Sequence, residues 1–240
     1  MNTAAFFDID GTVYRGSLMI EHFRKLMKYE VIEPNIWYDH ISELYLRWKN
    51  RQGDYDDFME ELAQEYIKNL TGLNLNHIQF ISEQVINLKG DAVYKYSRSR
   101  IQWHKAQGHR IIFVSGSPDF LVSLMARKYG ADDYIGSGYL LDSQGEFTGE
   151  VVKMWDSESK NKAILNFIKD HDIDPGSSYS YGDTNGDYSM LKLMGHPTAI
   201  NPSHELMKII KEDPDLRANC QIVVERKDVI YFLDGTVEFA

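Results

Sequence analysis

Apolar positions along this chain follow two different rhythms, and the rhythm changes at about residue 95. The first element is the uninterrupted run Ala4-Ala5-Phe6-Phe7, which breaks at Asp8-Ile9-Asp10-Gly11. A short apolar run closed by Asp and Gly predicts a buried strand. Over residues 17–90 apolar side chains recur every three or four positions instead. Leu18, Phe23, Leu26 and Met27 form one series; Trp37, Ile41, Leu44, Tyr45 and Trp48 form the next. Phe58, Leu62 and Tyr66 follow, then Ile78, Ile81, Val85 and Ile86. This spacing predicts amphipathic helices, separated by Pro34, Gly53 and Thr71-Gly72. The aromatic members read as core rather than as a ligand platform. Roughly 75 helical residues inserted after one strand predict a helical domain of its own.

Beyond residue 95 strands and helices alternate. A helix over 96–105 ends at Gly108, and 110–114 is a strand. Ser117 as N-cap and Pro118 in the first turn open another helix. Residues 134–152 read as a hairpin turning at Ser143-Gln144-Gly145, and 160–170 as a helix. Short strands follow at 179–181 and 198–200. Alternation of this kind predicts an α/β fold, a parallel sheet covered by helices on both faces. The tail has two apolar arms around Asp234-Gly235, predicting a hairpin at the sheet edge.

Composition narrows the function. The 240 residues suffice for one large domain, or a core with a smaller companion, and 43% hydrophobic content suits a soluble globular chain. A net charge of −10 argues against general nucleic-acid binding, since no basic excess exists to neutralise phosphates. Cys220 is the only cysteine, which excludes an internal disulfide and a cysteine-based zinc site. No apolar stretch approaches the ~18 residues of a membrane span, and the N-terminus lacks a secretory pattern. A cytoplasmic setting is the expectation.

The polar residues cluster at predicted strand ends. Side chains alternate along a strand, so Asp8 and Asp10 leave it on the same side. Two carboxylates that close repel unless a cation or a shared proton relieves them. A calcium loop of the EF-hand type is excluded: its sixth and twelfth positions require Gly and Glu, and Val13 and Met19 stand there. A capped strand end and a nucleophile with a proton-transfer partner both stay open. Ligands of such sheets bind beyond the carboxyl ends of the strands. The second strand delivers Ser115-Gly116-Ser117 to a helix start, an anion-binding arrangement. Lys160 places a cation at another helix start, where it opposes the dipole, with Lys162 as its nearby rival. The third strand ends in Gly182-Asp183-Thr184-Asn185-Gly186-Asp187, rich in the oxygen ligands that magnesium prefers.

In that order these segments resemble the haloacid dehalogenase superfamily of phosphatases, in the branch that contains phosphoserine phosphatase. Asp8-Ile9-Asp10-Gly11-Thr12-Val13 is similar to the first family motif, Ser115 to the second, Lys160 to the third, and Gly182-Asp183 with Asp187 to the fourth. Gly195-His196-Pro197-Thr198-Ala199-Ile200-Asn201-Pro202 resembles the stretch that follows. About a hundred residues separate Asp10 from Ser115, and about forty-five separate Ser115 from Lys160. The large insertion therefore follows the first motif, as in the helical-cap branch. The resemblance implies a Rossmann-like three-layer αβα core over 1–16 and 92–240, with a helical (C1-type) cap over 17–91.

It also implies a mechanism. Asp8 attacks phosphorus and becomes an aspartyl phosphate; Asp10 protonates the leaving oxygen and later activates water. Magnesium is held by Asp8, the Asp10 carbonyl and Asp183, with Asp187 supporting it directly or through water. Ser115, Gly116 and Lys160 hold the phosphoryl oxygens, with Thr12 and Asn185 also beside the substrate. If this holds, the carboxyl groups of Asp8 and Asp183 must lie close enough to share one ion. The implied partner is a small phosphorylated metabolite, with no nucleic acid and no membrane insertion. Phosphoserine itself fits less well. The branch carries a Glu seven residues after the second Asp, where Ser17 stands, and a cap Arg near where Asp54-Tyr55-Asp56-Asp57-Phe58-Met59-Glu60 lies. Asn185 also follows Asp183 by two residues rather than three, and Gly186 fills the Asn position. Arg15, Arg47, Lys49 and Arg51 are candidate contacts for a further substrate anion. A phosphomutase and a silent phosphate-binding module are the rival classes.

Overall fold

The opening apolar run becomes strand β1 (Ala4–Asp8), fully buried at every position and central in an eight-stranded sheet. The computed structural model describes residues 2–53 and 55–239, with Asp56 through its backbone alone, so Asp54 of the acidic stretch lies outside the described residues. The other strands are β2 (Arg110–Pro118), β3 (Asp133–Leu141), β4 (Phe147–Val152), β5 (Tyr179–Gly182), β6 (His196–Ile200), β7 (Gln221–Arg226) and β8 (Val229–Leu233). Their order is β4-β3-β2-β1-β5-β6-β7-β8. The six inner strands are parallel, and β4 and β8 close the two edges antiparallel. The chain steps from β1 to β2 on one side and later to β5 on the other. Beside β1, therefore, lies the point where strand order reverses, the place where α/β sheets bind ligands.

Alternation along β1 feeds two layers. Phe7 packs with Phe113 and Tyr181 in one apolar cluster; Phe6 packs with Ile112, Val114 and Ile164 in another. Helices α5 (Lys95–Gln107), α6 (Asp119–Tyr129), α7 (Ser157–Asp170), α8 (Tyr188–Leu193), α9 (His204–Glu212) and α10 (Pro214–Asn219) complete the α/β fold. The segment after β1 holds α1 (Leu18–Lys28), α2 (Ser42–Lys49), α3 (Tyr55–Leu70) and α4 (Leu75–Lys89), with a π-helical turn at Trp37–Ile41. These helices do not form a separate core. Leu18, Phe23, Phe58, Tyr66 and Ile78 belong to the same apolar cluster as Phe7 of the sheet and Phe120 of α6. Among the described residues, no helix is long and apolar enough to cross a membrane.

Helices α1, α3 and α4 meet at a fully buried histidine. The Tyr66 hydroxyl lies 2.7 Å from His22 Nδ1, and Ser82 Oγ lies 3.1 Å from His22 Nε2. Ser82 donates to the Ile78 carbonyl, so it accepts from Nε2–H, and Nδ1 accepts from the tyrosine. Burial lowers His22 from its ordinary 6.5 to about 3. Burial, with Arg100 and His109 nearby, does the same to His104 under the sheet. Both imidazoles are neutral when folded and take up a proton when the chain unfolds. Their stabilisation is complete above pH 6.5 and is lost as pH falls from there toward 3. His22→Gln should flatten this acid limb, reducing the stability lost between pH 6 and 4 by on the order of 1–2 kcal/mol. Urea unfolding across that range measures it; an unchanged slope would mean His22 is charged in the fold.

Three local expectations need correction. Strand β2 runs on through Pro118, because Pro118 still pairs with Ser137 of β3, and α6 begins only at Asp119. Ser115-Gly116-Ser117 is thus strand rather than helix start, and Ser117 caps nothing. Helix α7 starts at Ser157, with Asp156 accepting from the Ser159 N–H at 2.8 Å, so Lys160 ends the first turn instead of opening it. The C-terminal hairpin pairs β7 with β8 around Lys227-Asp228, where Lys227 takes φ 54°. Asp234-Gly235 is only a turn beyond it, in which Asp234 accepts from the Thr236 N–H. Strand β7 and helices α8 to α10 were not anticipated.

Candidate active site

Five chain segments converge beyond the carboxyl end of β1. Asp8 is the last residue of β1, buried, and Lys160 Nζ donates to its Oδ1 at 2.7 Å. The same ammonium donates to Asp187 Oδ1 at 2.5 Å. Asp187 Oδ2 accepts the N–H groups of Asp183 and Thr184 at 3.0 and 3.1 Å, which folds the loop after β5 into a short 3₁₀ turn. Gly182 permits this fold, since a Cβ there would lie 2.5 Å from Asp187 Cβ. On the other side, Gly11 adopts φ +91°, and a Cβ would sit 2.1 Å from Asp183 Oδ2. Only glycine lets the β1 loop lie against that carboxylate. Thr12 is fully buried, and its hydroxyl donates to Asp183 Oδ1 at 2.9 Å. Its hydroxyl is therefore engaged by that acid.

Asp8, Asp183 and Asp187 each bring a carboxylate oxygen within 4.8 Å of the others. An all-oxygen set at this separation suits a small hard cation bound at about 2.1 Å. Charge points the same way. Burial raises the pKa of Asp8, reinforced by Asp187, while Lys160 opposes it; burial then Asp187 raise Asp183. Burial alone would lower Lys160, but Asp187 and Asp8 hold it above its ordinary value, so it stays charged. One ammonium facing three carboxylates leaves an excess that a divalent ion would cancel.

Asp10 stands beside this cluster. Its Oδ1 accepts the Leu18 N–H at 2.6 Å, anchoring the start of α1. Its Oδ2 accepts the hydroxyls of Ser117 and Ser115 at 2.6 and 3.1 Å. Burial raises its pKa against those three donors. Ser115 is fully buried, and its Oγ also accepts the Ser117 N–H at 3.0 Å, so its hydroxyl is engaged within the protein. Gly116 lies against Trp155, whose Cβ would be 2.7 Å from a Cβ placed there. Asn185 is half-buried in the 3₁₀ turn.

A cavity of about 370 Å³ opens from Asp10, Gly11 and Asp183 toward the inserted helices. Tyr45, Trp48 and Tyr55 line its far wall, so part of the aromatic series read as core also faces a cavity. Arg15 lines it as well, whereas Arg47, Lys49 and Arg51 are exposed and outside it. Ser17 caps α1 and lies at the rim. Arg24 was missed. The signal was present: Ser17, Ile20, Glu21 and Arg24 follow helical spacing on one face, and all four line the cavity.

The family model for haloacid dehalogenase-like hydrolases matches residues 5–192. The inhibition of morphological differentiation protein of Streptomyces azureus is 26% identical over 208 residues, covering 86% of this chain and 74% of that protein. Histidinol-phosphatase of Neisseria meningitidis serogroup C is 24% identical over 217 residues, covering 88% and 96%. A phosphoserine phosphatase solved as a phospho-aspartyl intermediate analogue has a TM-score of 0.60 at 18% identity, covering 95% of each chain. This chain belongs to the haloacid dehalogenase-like hydrolase family. Within it, the chain has the fold of the phosphoserine phosphatases.

Proposed function

We propose that this phosphatase is a magnesium-dependent hydrolase of a small phosphorylated metabolite, working through an aspartyl phosphate on Asp8. The observation that carries the reading is the position of Asp8: at the end of β1, hydrogen-bonded by Lys160, and within 4.8 Å of Asp183 and Asp187. Magnesium, when bound by Asp8, Asp183 and Asp187, would offset the negative charge of the phosphoryl oxygens. Asp8 attacks phosphorus in line, and the ester oxygen leaves. Asp10 gives that oxygen a proton, and burial, which raises its pKa, favours the protonated form this step needs. Asp10 then takes a proton from the water that attacks the acyl phosphate, releasing inorganic phosphate and restoring Asp8. Lys160 screens the nucleophile from the anionic substrate and binds a phosphoryl oxygen. Ser115 and Ser117 hold Asp10 in place, and Gly116 and Asn185 border the phosphate. In this reading residues 17–91 act as a cap over a core of 1–16 and 92–240, and the enzyme works in the cytoplasm.

Release of phosphate from 4-nitrophenyl phosphate is the direct test. It should require magnesium and stop with EDTA. Borohydride quenching during turnover should convert Asp8 to homoserine, read by peptide mass. Phosphate release that persists in EDTA, or a covalent mark on another residue, would overturn the mechanism.

A further inference from the structure

We propose that Arg24 and Arg15, with the rings of Tyr45 and Trp48, form a subsite for a second anionic group on a ring-bearing phosphomonoester. This rests on the hydrolase reading above and names its substrate class.

Arg24 is half-buried, on the face of α1 that lines the cavity. Its guanidinium carbon lies 4.4 Å from the Trp37 ring centroid and 5.1 Å from that of Tyr45. Two aromatic rings thus hold the guanidinium at the cavity, and its N–H groups can donate to a planar anion in bidentate fashion. Arg15 sits over Tyr94, 5.4 Å from its centroid, at the same cavity. Among the described residues no carboxylate pairs with either arginine. The nearby Glu21 is turned toward Lys89 at 3.8 Å. Two arginines without a carboxylate partner thus line the same cavity, which Glu21 also borders.

Distance sets the substrate's size. Leu18, whose N–H holds Asp10, and Arg24 are six residues apart on α1, about 9 Å along the axis. Phosphoserine carries its carboxylate only a three-carbon skeleton away from its phosphate, and would leave Tyr45 and Trp48 uncovered. A single ring bearing the phosphate at one end and a carboxylate or second phosphate at the other spans the cavity and covers those rings.

The test compares phenyl phosphate with the 2-, 3- and 4-carboxyphenyl phosphates and with 1,4-phenylene bisphosphate. Wild-type enzyme should favour at least one substrate bearing the second anionic group over phenyl phosphate by tenfold or more in kcat/KM. The better of the carboxylate and bisphosphate arms identifies the anion. Arg24→Leu should bring that ratio near one, chiefly through KM; Arg24→Lys should restore part of it; Arg47→Leu, on the exposed face of α2, should leave it unchanged. A preference that is absent, or that survives Arg24→Leu, would overturn the subsite. Binding of 4-carboxyphenylphosphonate, followed by tryptophan fluorescence, reads the subsite without turnover. Arg24-dependent binding without hydrolysis would refute the mechanism and keep the subsite; hydrolysis of phenyl phosphate without such binding would do the reverse.

Discussion

Asp8→Asn should reduce phosphate release by on the order of 10⁴-fold or more while leaving the protein folded and, without metal, slightly more stable. The amide keeps the shape of the side chain but cannot form an acyl phosphate. Stability follows from the sign of the pKa shift. Burial and the neighbouring acids raise Asp8, so at pH 7 its charge disfavours the folded state relative to the unfolded chain. Removing that charge relieves Asp183 and Asp187 and leaves Lys160 its bond to Asp187. Steady-state kinetics with a metal-free melting curve tests both halves. Residual turnover within a hundredfold of wild type would remove Asp8 as nucleophile. A large fall in melting temperature would show that the carboxylate is structural.

Lys160→Met should have the opposite thermal outcome. It strips from Asp8 and Asp187, both buried, the ammonium they share, and keeps the bulk of the side chain. Breaking a buried ion pair by deleting one partner costs about 3–5 kcal/mol, a drop of roughly 10 °C for a chain of this size. The deficit should shrink as pH falls, because Asp8 is already pushed upward and takes a proton more readily without its partner. Magnesium should narrow it as well, by binding only the folded cluster. Melting curves at pH 5 and 8, with and without magnesium, read all three effects. A deficit independent of both would mean the loss is one of packing. Turnover should fall too, since an anionic nucleophile would meet an anionic ester unscreened.

Much of this centre was legible because its parts are local. Asp8 declares itself by closing a short apolar strand, Asp10 by following it two residues later, and Gly182-Asp183 by ending another short strand. What was illegible depends on contacts between distant segments. Ser115-Gly116-Ser117 followed by Pro118 carries every local sign of a helix start. Pairing of Pro118 with Ser137 and the demand of Asp10 for two hydroxyls keep it extended instead. The C-terminal hairpin was misplaced for a related reason: Asp-Gly is the stronger turn signal, but β8 had to find β7, which was not read as a strand. Tyr45 and Trp48 pack against the core on one side and border a cavity on the other. Periodicity reports the first property and is blind to the second.

The apolar cluster that joins the inserted helices to the sheet has a consequence for anyone wishing to redesign the specificity of this hydrolase. Phe120, Tyr139 and Phe147 of the sheet side are buried in company with Phe58, Tyr66 and Ile78 of the insert. Transplanting another family member's insert onto this scaffold is therefore core surgery. A grafted segment must match those three rings in shape, or the chimera will lose its fold before its selectivity can be assayed.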